Sequence, residues 1–591
     1  MEKVGGSSPP GPTIFYYDMN IDTLRHSCSH VMAKAVKQLW PEAKLTIGPS
    51  IEDGFYYDFD KKEPFTDDDL ARIEDLMKQI IKKNEPFVRA ELSKQDAIDL
   101  FTKLHEDYKL ELIKGIGDEK VFIYKTGDDF VDLCRGPHLA STGEIKAFKL
   151  LSVAGAYWHG IETNPMLQRI YGTCFETKQE LEQHLKALDE AKLRDHRKLG
   201  PALELFDIYQ DQAGPGLVFY QPKGALVRKL IEDYEKNEHL KRGYDLVVTP
   251  HIMQAELWKT SGHLDYYKEN MYTFKIEDKE FVLKPMNCPG HILIYKSKTR
   301  SYKDLPVRYF ELGTVYRHEK AGVMHGLLRV RGFTQDDAHI FCLPSQLRDE
   351  IKATVNFVFE TMKVFGFNNM GIELSTRPAK SVGSDEDWQA ATAALEDSLK
   401  DLGLKYVINE GDGAFYGPKI DIKLKDALKR SWQCATIQCD FNLPKRFALE
   451  YVDVDGAVKQ PIMLHRVLLG SVERFTACLT EHYAGAFPVW LAPTQAVVIP
   501  IREDFSGYAK EVVAALVNAG IRAEIDSRNE TLNKRIRQAE VNKAPYILII
   551  GEREVTAKQV SVRKRRDGDK GSMTLETFIG QVGAEITNRT Q

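Results

Sequence analysis

A series of short strand-like runs between residues 244 and 441 constrains the fold of this chain more than any other feature. The runs cover residues 244–248, 307–311, 314–318, 332–340, 420–424 and 431–441, and short turns separate several of them. Strands joined in this way predict an antiparallel sheet, and amphipathic segments such as 224–242 predict helices packed on one of its faces. We therefore expect an α+β protein built around this sheet.

The chain has 591 residues, which is too long for a single core. Changes in composition and hydrophobic pattern along the chain predict five segments. They are a flexible tail (1–20), a domain of mixed helices and strands (21–180), a charged linker helix (181–199), the sheet domain (200–490) and a small α/β domain (493–591). Within the mixed domain, Thr66 precedes a helical stripe over 70–83. The sequence contains no apolar run long enough to cross a membrane.

Charge and cysteine usage exclude some classes of protein. Eight cysteines in a chain of this length do not form a disulfide framework, so we expect reduced thiols and a cytoplasmic enzyme. The net charge of −5 gives no global support for nucleic-acid binding. The basic clusters at 192–198, 534–537 and 563–566 could contact phosphates or could be solvated surface.

Polar residues on the predicted strands indicate a binding pocket. Arg317 and Glu319 are spaced to lie on one face of a strand, where they could hold a phosphate and an amino group. Gln335, Asp337 and His339 share one strand face, as do Thr436 and Gln438. Gly470 precedes a helix that carries Arg474, an arrangement that suits a nucleotide phosphate.

These segments resemble the three signature motifs of class II aminoacyl-tRNA synthetases. MNCPGH at 286–291, RGFTQDDAHIF at 331–341, RSWQC at 430–434 and GSVERF at 470–475 are similar to the threonyl-tRNA synthetases, and the resemblance extends from about residue 26 to the end of the chain. It implies a ligase with three partners: L-threonine, ATP and tRNA(Thr). The enzyme would form threonyl-adenylate and transfer threonine to the 3′ end of the tRNA.

The resemblance also implies roles for individual residues. Cys288, His339 and His465 would bind one zinc ion per subunit; scattered cysteines and histidines alone would not have been paired. Such a zinc, with an open position, would separate threonine from valine, which an apolar pocket does poorly. The residues implied to line the substrate pocket are Met286, Gln335, Asp337, Tyr416, Gln433, Thr436 and Gln438. Those implied for ATP, which brings Mg²⁺, are the catalytic Arg317 and Arg474, with Glu319, Arg329 and Phe333.

A second candidate site lies near the start of the chain. His26 and His30 are four residues apart, as are Cys134 and His138. By spacing alone these are either a tetrahedral zinc set or two unrelated pairs. Their segments, HSCSH and CRGPH, resemble the domain that hydrolyses seryl-tRNA(Thr) in bacterial-type threonyl-tRNA synthetases. The resemblance implies editing residues, joined by Tyr57 and Asp132, and leaves their metal state open.

The last domain resembles the anticodon-binding domain of several class II synthetases, which implies that Glu554 and Arg563 contact anticodon bases. The class implies a homodimer, and no membrane association is expected. The small N-terminal ubiquitin-like domain common in the family is expected to be absent. Three alternatives stay open: another class II synthetase such as a prolyl or seryl enzyme, a non-catalytic RNA-binding relative, and a free-standing editing hydrolase.

Overall fold

The chain divides into two compact units. The computed structural model describes residues 19–161, 163–426 and 430–591. Of these, residues up to 189 form the first unit and residues 190–591 form the second. The tail predicted over 1–20 lies almost entirely outside the described residues. Among the described residues, no helix combines the length and the apolar character that crossing a bilayer requires.

The first unit is built on two antiparallel sheets. Its elements are α1 (Met19–Leu39), β1 (Lys44–Leu45), β2 (Ser50–Ile51), β3 (Gly54–Asp60), α2 (Asp67–Lys83), β4 (Phe87–Ser93), α3 (Lys94–Lys103), α4 (Asp107–Gly115), β5 (Lys120–Thr126), β6 (Phe130–Leu133), β7 (Ala147–Tyr157) and β8 (Met166–Phe175). One sheet has the order β1-β3-β8-β7 with β2 beside β3, and β4, β5 and β6 form the other. The predicted start of α2 is confirmed, since Thr66 caps it in a capping box with Asp69.

The linker helix predicted over 181–199 is interrupted. Helix α5 (Lys178–Arg194) ends early, and α6 (His196–Ala202) begins after a break at Asp195. The Asp195 carboxylate accepts the backbone N–H of Arg197 at 2.8 Å, so it caps a new helix. The predicted linker therefore contains the end of one helix, α5, and the start of another, α6, instead of a single helix.

The centre of the second unit is an eight-stranded sheet. Its part of the chain contains β9 (Phe206–Asp207), β10 (Phe219–Tyr220), α7 (Pro222–Lys241), β11 (Asp245–Leu246), β12 (Ile252–Gln254), α8 (Ala255–Thr260), α9 (His263–Tyr267), β13 (Thr273–Ile276), β14 (Lys279–Leu283), α10 (Cys288–Lys296), β15 (Val307–Tyr316), β16 (Gly332–Cys342), α11 (Leu347–Val364), β17 (Met370–Ser375), α12 (Asp385–Asp401), β18 (Val407–Asn409), β19 (Lys419–Lys425), β20 (Ser431–Asp440), α13 (Asn442–Arg446), β21 (Tyr451–Val452), β22 (Val458–Lys459), β23 (Ile462–Val467) and α14 (Val472–His482). The order β11-β15-β16-β23-β20-β19-β17-β18 is antiparallel except at its two ends, where β11 and β18 run parallel to their neighbours.

The predicted α+β class and antiparallel sheet are confirmed. Apolar residues of the inner strands pack against α7, α11, α12 and α14 in one large core, to which Ile340, Ile351, Ile422 and Phe475 belong. The runs predicted at 307–311 and 314–318 are one strand, β15, which pairs without interruption with β16. Arg317 and Glu319 therefore follow the end of that strand instead of lying on it.

The last part of the second unit is a smaller α/β fold with its own core. Its elements are β24 (Ala496–Pro500), α15 (Ser506–Asn518), β25 (Ala523–Ile525), α16 (Leu532–Val541), β26 (Tyr546–Ile550), α17 (Glu552–Ala557), β27 (Gln559–Lys564), β28 (Gly568–Thr574) and α18 (Leu575–Thr587). The sheet order is β25-β24-β26-β27-β28, with the first three strands parallel. The predicted alternation of strands and helices is confirmed, although α17 and β28 were not predicted.

Candidate functional site

Three elements of the second unit bring Cys288, His339 and His465 together. Cys288 begins α10, and the two histidines are directly paired across the neighbouring strands β16 and β23. One ligand atom from each of the three lies within 4.8 Å of the other two, and all three side chains are buried. The structure thus joins the residues predicted as metal ligands.

The hydrogen-bond partners of the two histidines determine which ring nitrogens are unprotonated. His465 Nε2 lies 2.9 Å from the Asp440 carboxylate, so it carries the proton and leaves Nδ1 with a lone pair. His291 Nε2 donates to Glu311 at 3.1 Å, so its Nδ1 accepts a hydrogen bond from the Nδ1–H group of His339 at 2.8 Å. His339 Nε2 then also has a lone pair, and it lies 3.0 Å from His465 Nδ1. Two facing lone pairs repel each other unless a cation lies between them.

The electrostatics of the cluster also favour a cation. Burial lowers the pKa of His339 well below its ordinary value, so this ring is neutral and able to ligate. Burial, together with the nearby Asp337 and Asp440 carboxylates, raises the pKa of the Cys288 thiol well above its ordinary value. Ionising this thiol requires a compensating positive charge. The donor set therefore fits a metal ion that binds sulfur and nitrogen.

A cavity of about 330 Å³ opens onto the cluster. Asp337 lies in its wall, accepts a hydrogen bond from Asn287 at 3.0 Å, and has its pKa raised by burial. Tyr416 donates to the Gln438 side chain. Of the residues predicted to line a substrate pocket, those that line this cavity are Met286, Gln335, Asp337, Tyr416, Thr436 and Gln438.

Gln433 is the one residue predicted for the substrate pocket that does not line this cavity. A β-bulge pairs Ala435 with Ile422 and Gln433 with Lys423, which leaves Cys434 without a partner in the register. Gln433 lines a second cavity instead of the first. The bulge therefore puts Gln433 on the same face of β20 as Thr436 and Gln438, and Gln433 Nε2 and Thr436 Oγ1 both donate to the Asp421 carboxylate at 2.8 Å.

The second cavity has a volume of about 320 Å³ and adjoins the first. Arg317 lines both cavities, and its guanidinium group lies 5.1 Å from the centre of the Phe333 ring. Glu319 and Arg329 form an ion pair of 2.9 Å in the wall. All of the residues predicted for a nucleotide line this cavity: Arg317, Glu319, Arg329, Phe333 and Arg474.

The turn before α14 determines where Arg474 points. Gly470 has a φ of 84°, and a Cβ there would lie 2.7 Å from the carbonyl oxygen of Cys434. Ser471 then caps the helix by accepting the backbone N–H of Arg474 at 3.1 Å. The Arg474 guanidinium group donates to the carbonyl oxygens of Leu328 and Gln433, so two separate segments hold it in place.

The first unit brings its own predicted residues together. His26 and His30 lie on α1, and Cys134 and His138 lie in the segment after β6. Cys134 Sγ lies 3.4 Å from His26 Nε2 and 3.3 Å from His138 Nε2, while the His30 and His138 ring centres are 4.2 Å apart. The ligand atoms of all four residues lie within 4.8 Å of one another. The two i, i+4 pairs therefore form one cluster.

Burial controls protonation in this cluster. It lowers the pKa values of His26, His30 and His138, so the three rings are neutral near pH 7. Burial raises the pKa of the Cys134 thiol to about 11, so this sulfur is a weak nucleophile. The cluster can accept protons and bind polar groups, and it has the composition of a metal site.

One residue beside this cluster was not predicted. Lys109, on α4, is buried, pairs with Asp132 and donates to the Tyr57 hydroxyl at 3.0 Å. Tyr57 in turn donates to Asp132 at 2.6 Å, and His30 Nε2 lies 3.6 Å from the same carboxylate. Tyr57 and Asp132 were predicted for this site. Only the burial of Lys109 distinguishes it from surface lysines, and no sequence pattern predicts that burial.

Glu554 and Arg563 lie on α17 and β27 of the last domain. Glu554 accepts the backbone N–H of Gly551 at 3.0 Å and the Ser572 hydroxyl at 3.3 Å. Arg563 lies 3.6 Å from Glu540, and its side chain is 42% exposed. Arg563 is thus accessible to a ligand, whereas Glu554 is partly exposed and both of its carboxylate oxygens already accept hydrogen bonds.

The eight-stranded sheet and its two adjoining cavities define a class II aminoacyl-tRNA synthetase. Residues 272–483 match the model of the tRNA synthetase class II core domain (G, H, P, S and T). Residues 495–585 match the anticodon binding domain. Residues 121–171 match the threonyl and alanyl tRNA synthetase second additional domain.

The chain belongs to the threonine–tRNA ligase family. It is 56% identical over 585 residues to a threonine–tRNA ligase of Oleidesulfovibrio alaskensis, covering 99% of this chain and 89% of that relative. The relative from Citrifermentans bemidjiense is also 56% identical, with 96% and 88% covered. The solved RNA binding domain of threonyl-tRNA synthetase from Cryptosporidium parvum Iowa II is 43% identical, with a TM-score of 0.64, and the match covers 66% of this chain and 98% of that one.

Proposed function

We propose that this chain activates threonine with ATP in the two adjoining cavities and transfers it to tRNA(Thr). One observation carries the proposal: a buried donor set of one thiol and two imidazoles opens onto a cavity beside a second cavity lined by Arg317 and Arg474. The division predicted for the chain then assigns editing to 21–180, a linker to 181–199, catalysis to 200–490 and anticodon binding to 493–591. A cytoplasmic location is proposed with this role.

Cys288, His339 and His465 would hold one Zn²⁺. When bound, this ion supplies a Lewis-acidic position that accepts the amino and hydroxyl groups of threonine and that the methyl group of valine cannot occupy. The facing lone pairs of His339 and His465 support the assignment. Asp337 would accept a hydrogen bond from the substrate amino group, and the remaining polar wall of the first cavity would orient the carboxylate toward the second.

The second cavity would bind ATP with its Mg²⁺. Arg317 lies at the junction of the cavities, where it would neutralise the α-phosphate during attack by the threonine carboxylate. Arg474 would bind the γ-phosphate end, Phe333 would stack on adenine, and Glu319 with Arg329 would contact the nucleotide. This chemistry needs positioning and charge neutralisation and no protein nucleophile.

The central test is ATP–pyrophosphate exchange with threonine, serine, valine and proline, measured together with zinc content. We expect activity with threonine, weaker activity with serine, and none with valine or proline. Activity with proline or serine and none with threonine would favour the alternative of another class II synthetase. Absence of all exchange in the zinc-loaded protein would favour a non-catalytic relative.

The ligand set is tested by Cys288→Ser. A hydroxyl is a much poorer zinc ligand than a thiolate, so zinc and threonine-dependent exchange should be lost together. Cys342→Ser, at a buried cysteine outside the cluster, is the matched control and should keep both. Full exchange by a zinc-free Cys288→Ser protein would contradict the zinc assignment.

We further propose that the cluster of the first unit hydrolyses seryl-tRNA(Thr). Zinc binding selects a hydroxyl and therefore cannot reject serine, and one missing methyl group is worth only about 1–3 kcal/mol of discrimination. His26, His30, Cys134 and His138 would bind the ester and move protons, with Asp132 and Tyr57 beside them. His30→Ala should leave threonine charging intact while seryl-tRNA(Thr) accumulates. Rapid deacylation by this variant would exclude the assignment and would also remove the free-standing hydrolase from consideration.

The last domain would bind the anticodon through Glu554 and Arg563. Single-stranded bases are recognised by hydrogen bonds to their edges, which these two side chains can make. Arg563→Gln should raise KM for tRNA(Thr) in aminoacylation and leave ATP–pyrophosphate exchange unchanged. An unchanged KM for the tRNA would contradict the proposed contact.

A homodimer is proposed through α7 and β11. Strand β11 ends the sheet, and Leu240, Leu246 and Val248 are exposed there, Val248 to 89%. Exposed apolar residues along a strand edge favour a protein interface. Val248→Asp should shift the mass measured by light scattering toward the monomer.

A further inference from the structure

His196 contacts a turn in the wall of the second cavity without lining the cavity itself. It is the first residue of α6 and is fully buried. The turn, residues 325–329, is closed by hydrogen bonds between His325 and Arg329 and from Leu328 N–H to the His325 carbonyl. None of the roles assigned above involves His196.

Both ring nitrogens of His196 have defined partners. The backbone N–H of Leu327 donates to Nε2 at 3.0 Å, so this nitrogen is unprotonated. Nδ1 then carries the proton and donates to the Glu481 carboxylate at 2.6 Å. Asp195, His196 and Glu481 are spaced closely enough for a metal, but neither histidine nitrogen is free to ligate one. The ring therefore connects a backbone amide of the turn to a side chain of α14.

The turn fits closely over the ring. Gly326 has a φ of 52°, and a Cβ at this position would lie 2.1 Å from His196 Nε2 and 2.8 Å from Cγ of Arg197. Only a glycine allows this approach, because any larger residue would push the turn away from the ring. The hydrogen bond from Leu327 and the packing of Gly326 are independent observations of the same contact.

The same turn and the same helix carry the groups proposed to bind ATP. Directly after Leu327, the carbonyl oxygen of Leu328 accepts Arg474 Nε at 3.3 Å, and Arg329 follows with its ion pair to Glu319. Glu481 lies on α14, the helix of Arg474. His196 is thus held by one end of α14 and holds the turn that contacts the arginine at the other end.

We propose that His196 is a positioning residue for ATP: it fixes the 325–329 turn against α14 and so sets the placement of Arg329 and Arg474. This inference rests on the proposed nucleotide site. His196 should affect the binding of ATP and not of threonine, since the residues that line the first cavity do not include this turn or Arg474. Loosening the turn should therefore weaken ATP binding while threonine binding is preserved.

Two substitutions in the full chain separate the two hydrogen bonds of the ring. His196→Asn keeps a donor for Glu481 at the δ position and removes the acceptor for Leu327. We expect KM for ATP in threonine-dependent exchange to rise roughly tenfold, since a buried amide loses its partner, with KM for threonine and zinc content unchanged. His196→Gln, whose ε oxygen replaces Nε2, should recover most of the ATP affinity. Lys198→Gln, on an exposed position of α6, is the control and should behave as wild type.

Hydrogen exchange gives a second measurement that does not depend on activity. Peptides covering 325–329 should exchange faster in His196→Asn than in wild type or His196→Gln. If His196→Asn does not fold, Gly326→Ala displaces the turn with the histidine intact and should show the same defect for ATP alone. An unchanged KM for ATP, or equal rises for ATP and threonine, would overturn the inference. Wild-type protein without threonine-dependent exchange would instead refute the proposed function, and hydrogen exchange would still test whether His196 holds the turn.

Discussion

At the scale of single residues, the two histidines of the proposed zinc site depend on groups behind them. His339 donates to His291, which donates to Glu311, and Lys284 lies 3.2 Å from the same carboxylate. Burial raises the pKa of Glu311, but the hydrogen bonds from His291 and Thr249 and the charge of Lys284 outweigh it and bring the pKa to about 2. Glu311 is therefore ionised at neutral pH and orients the chain of rings toward the metal position.

Glu311→Gln should weaken zinc binding without abolishing it. The amide keeps an acceptor for His291 but loses the charge that orients both rings, and loss of such an outer partner weakens metal binding by roughly 10- to 100-fold. Zinc affinity is measured by competition with a chelator, and exchange activity is followed in parallel. Glu373→Gln, at an ion pair on β17, is the control. Wild-type zinc affinity in Glu311→Gln would show that the tautomers are held by other groups.

The two clusters of cysteine and histidine were predictable from motifs more than from residue type alone. Spacing together with the resemblance predicted the four residues of the first-unit cluster, and only the resemblance predicted the three of the second, which are scattered along the sequence. His291, Lys109 and His196 were not predicted, because their roles depend on burial and on partners that are distant in sequence. His196 lies 131 residues from Leu327 and 285 from Glu481.

At the scale of elements, the points where helices and strands begin, end or bulge were harder to predict than whether a segment forms a helix or a strand. The antiparallel sheet and α2 followed from periodicity and capping, and both are confirmed. The break between α5 and α6 was missed because Asp195 also suits the middle of a charged helix. The bulge in β20 was missed because it changes which side chains share a face without changing composition. At such positions the local sequence is compatible with either conformation, and packing against the rest of the fold selects one of them.

The turn before α14 gives a prediction at this scale. Gly470→Ala adds a Cβ that would meet the carbonyl oxygen of Cys434 at 2.7 Å, so the turn must shift and carry Arg474 with it. We expect exchange activity to fall at least tenfold, which corresponds to about 1.4 kcal/mol of lost transition-state stabilisation. Both the strain of the backbone and the contact contribute, and a control is needed to separate them.

Gly403→Ala provides that control. Gly403 has a φ of 64° and no atom within 4 Å of an added Cβ, so alanine there has the same backbone cost without the contact. This variant should lose about 1 kcal/mol of stability and keep full exchange activity. Equal loss of activity in the two variants would show that general destabilisation, and not displacement of Arg474, is responsible.

At the scale of the whole molecule, the second unit buries more negative than positive charge in its core. Arg466 on β23 lies beside Glu235 on α7 and Asp336 on β16, and the Arg466 guanidinium group is 4.4 Å from the centre of the Tyr244 ring. Among the described residues, neither the guanidinium nitrogens nor the Glu235 carboxylate oxygens have a hydrogen-bond partner. Two acids share one arginine, so one negative charge is uncompensated.

Protonation of Glu235 or Asp336 should remove this uncompensated charge, so the stability of the fold should depend on pH. Burial and the nearby Asp336 raise the pKa of Glu235 well above its ordinary value, and burial raises that of Asp336 to about 6. The folded chain therefore binds protons that the unfolded chain has already released, for Asp336 between about pH 4 and pH 6. Stability contributed by these two groups is fully present below their ordinary pKa values and is lost as the pH rises through the raised pKa that each has in the folded chain.

Glu235→Gln should consequently raise the melting temperature at pH 8, because it leaves one acid paired with one arginine. A gain on the order of 1 kcal/mol is expected, since a buried charge without hydrogen bonds costs more than a buried amide. The difference from wild type should shrink as the pH falls, because the raised pKa of Glu235 favours its protonated form. Calorimetry at several pH values measures it, with Glu232→Gln, a partly exposed acid on the same helix, as control. A variant less stable than wild type at pH 8 would show instead that Glu235 compensates Arg466 on balance, and that the core needs both acids ionised.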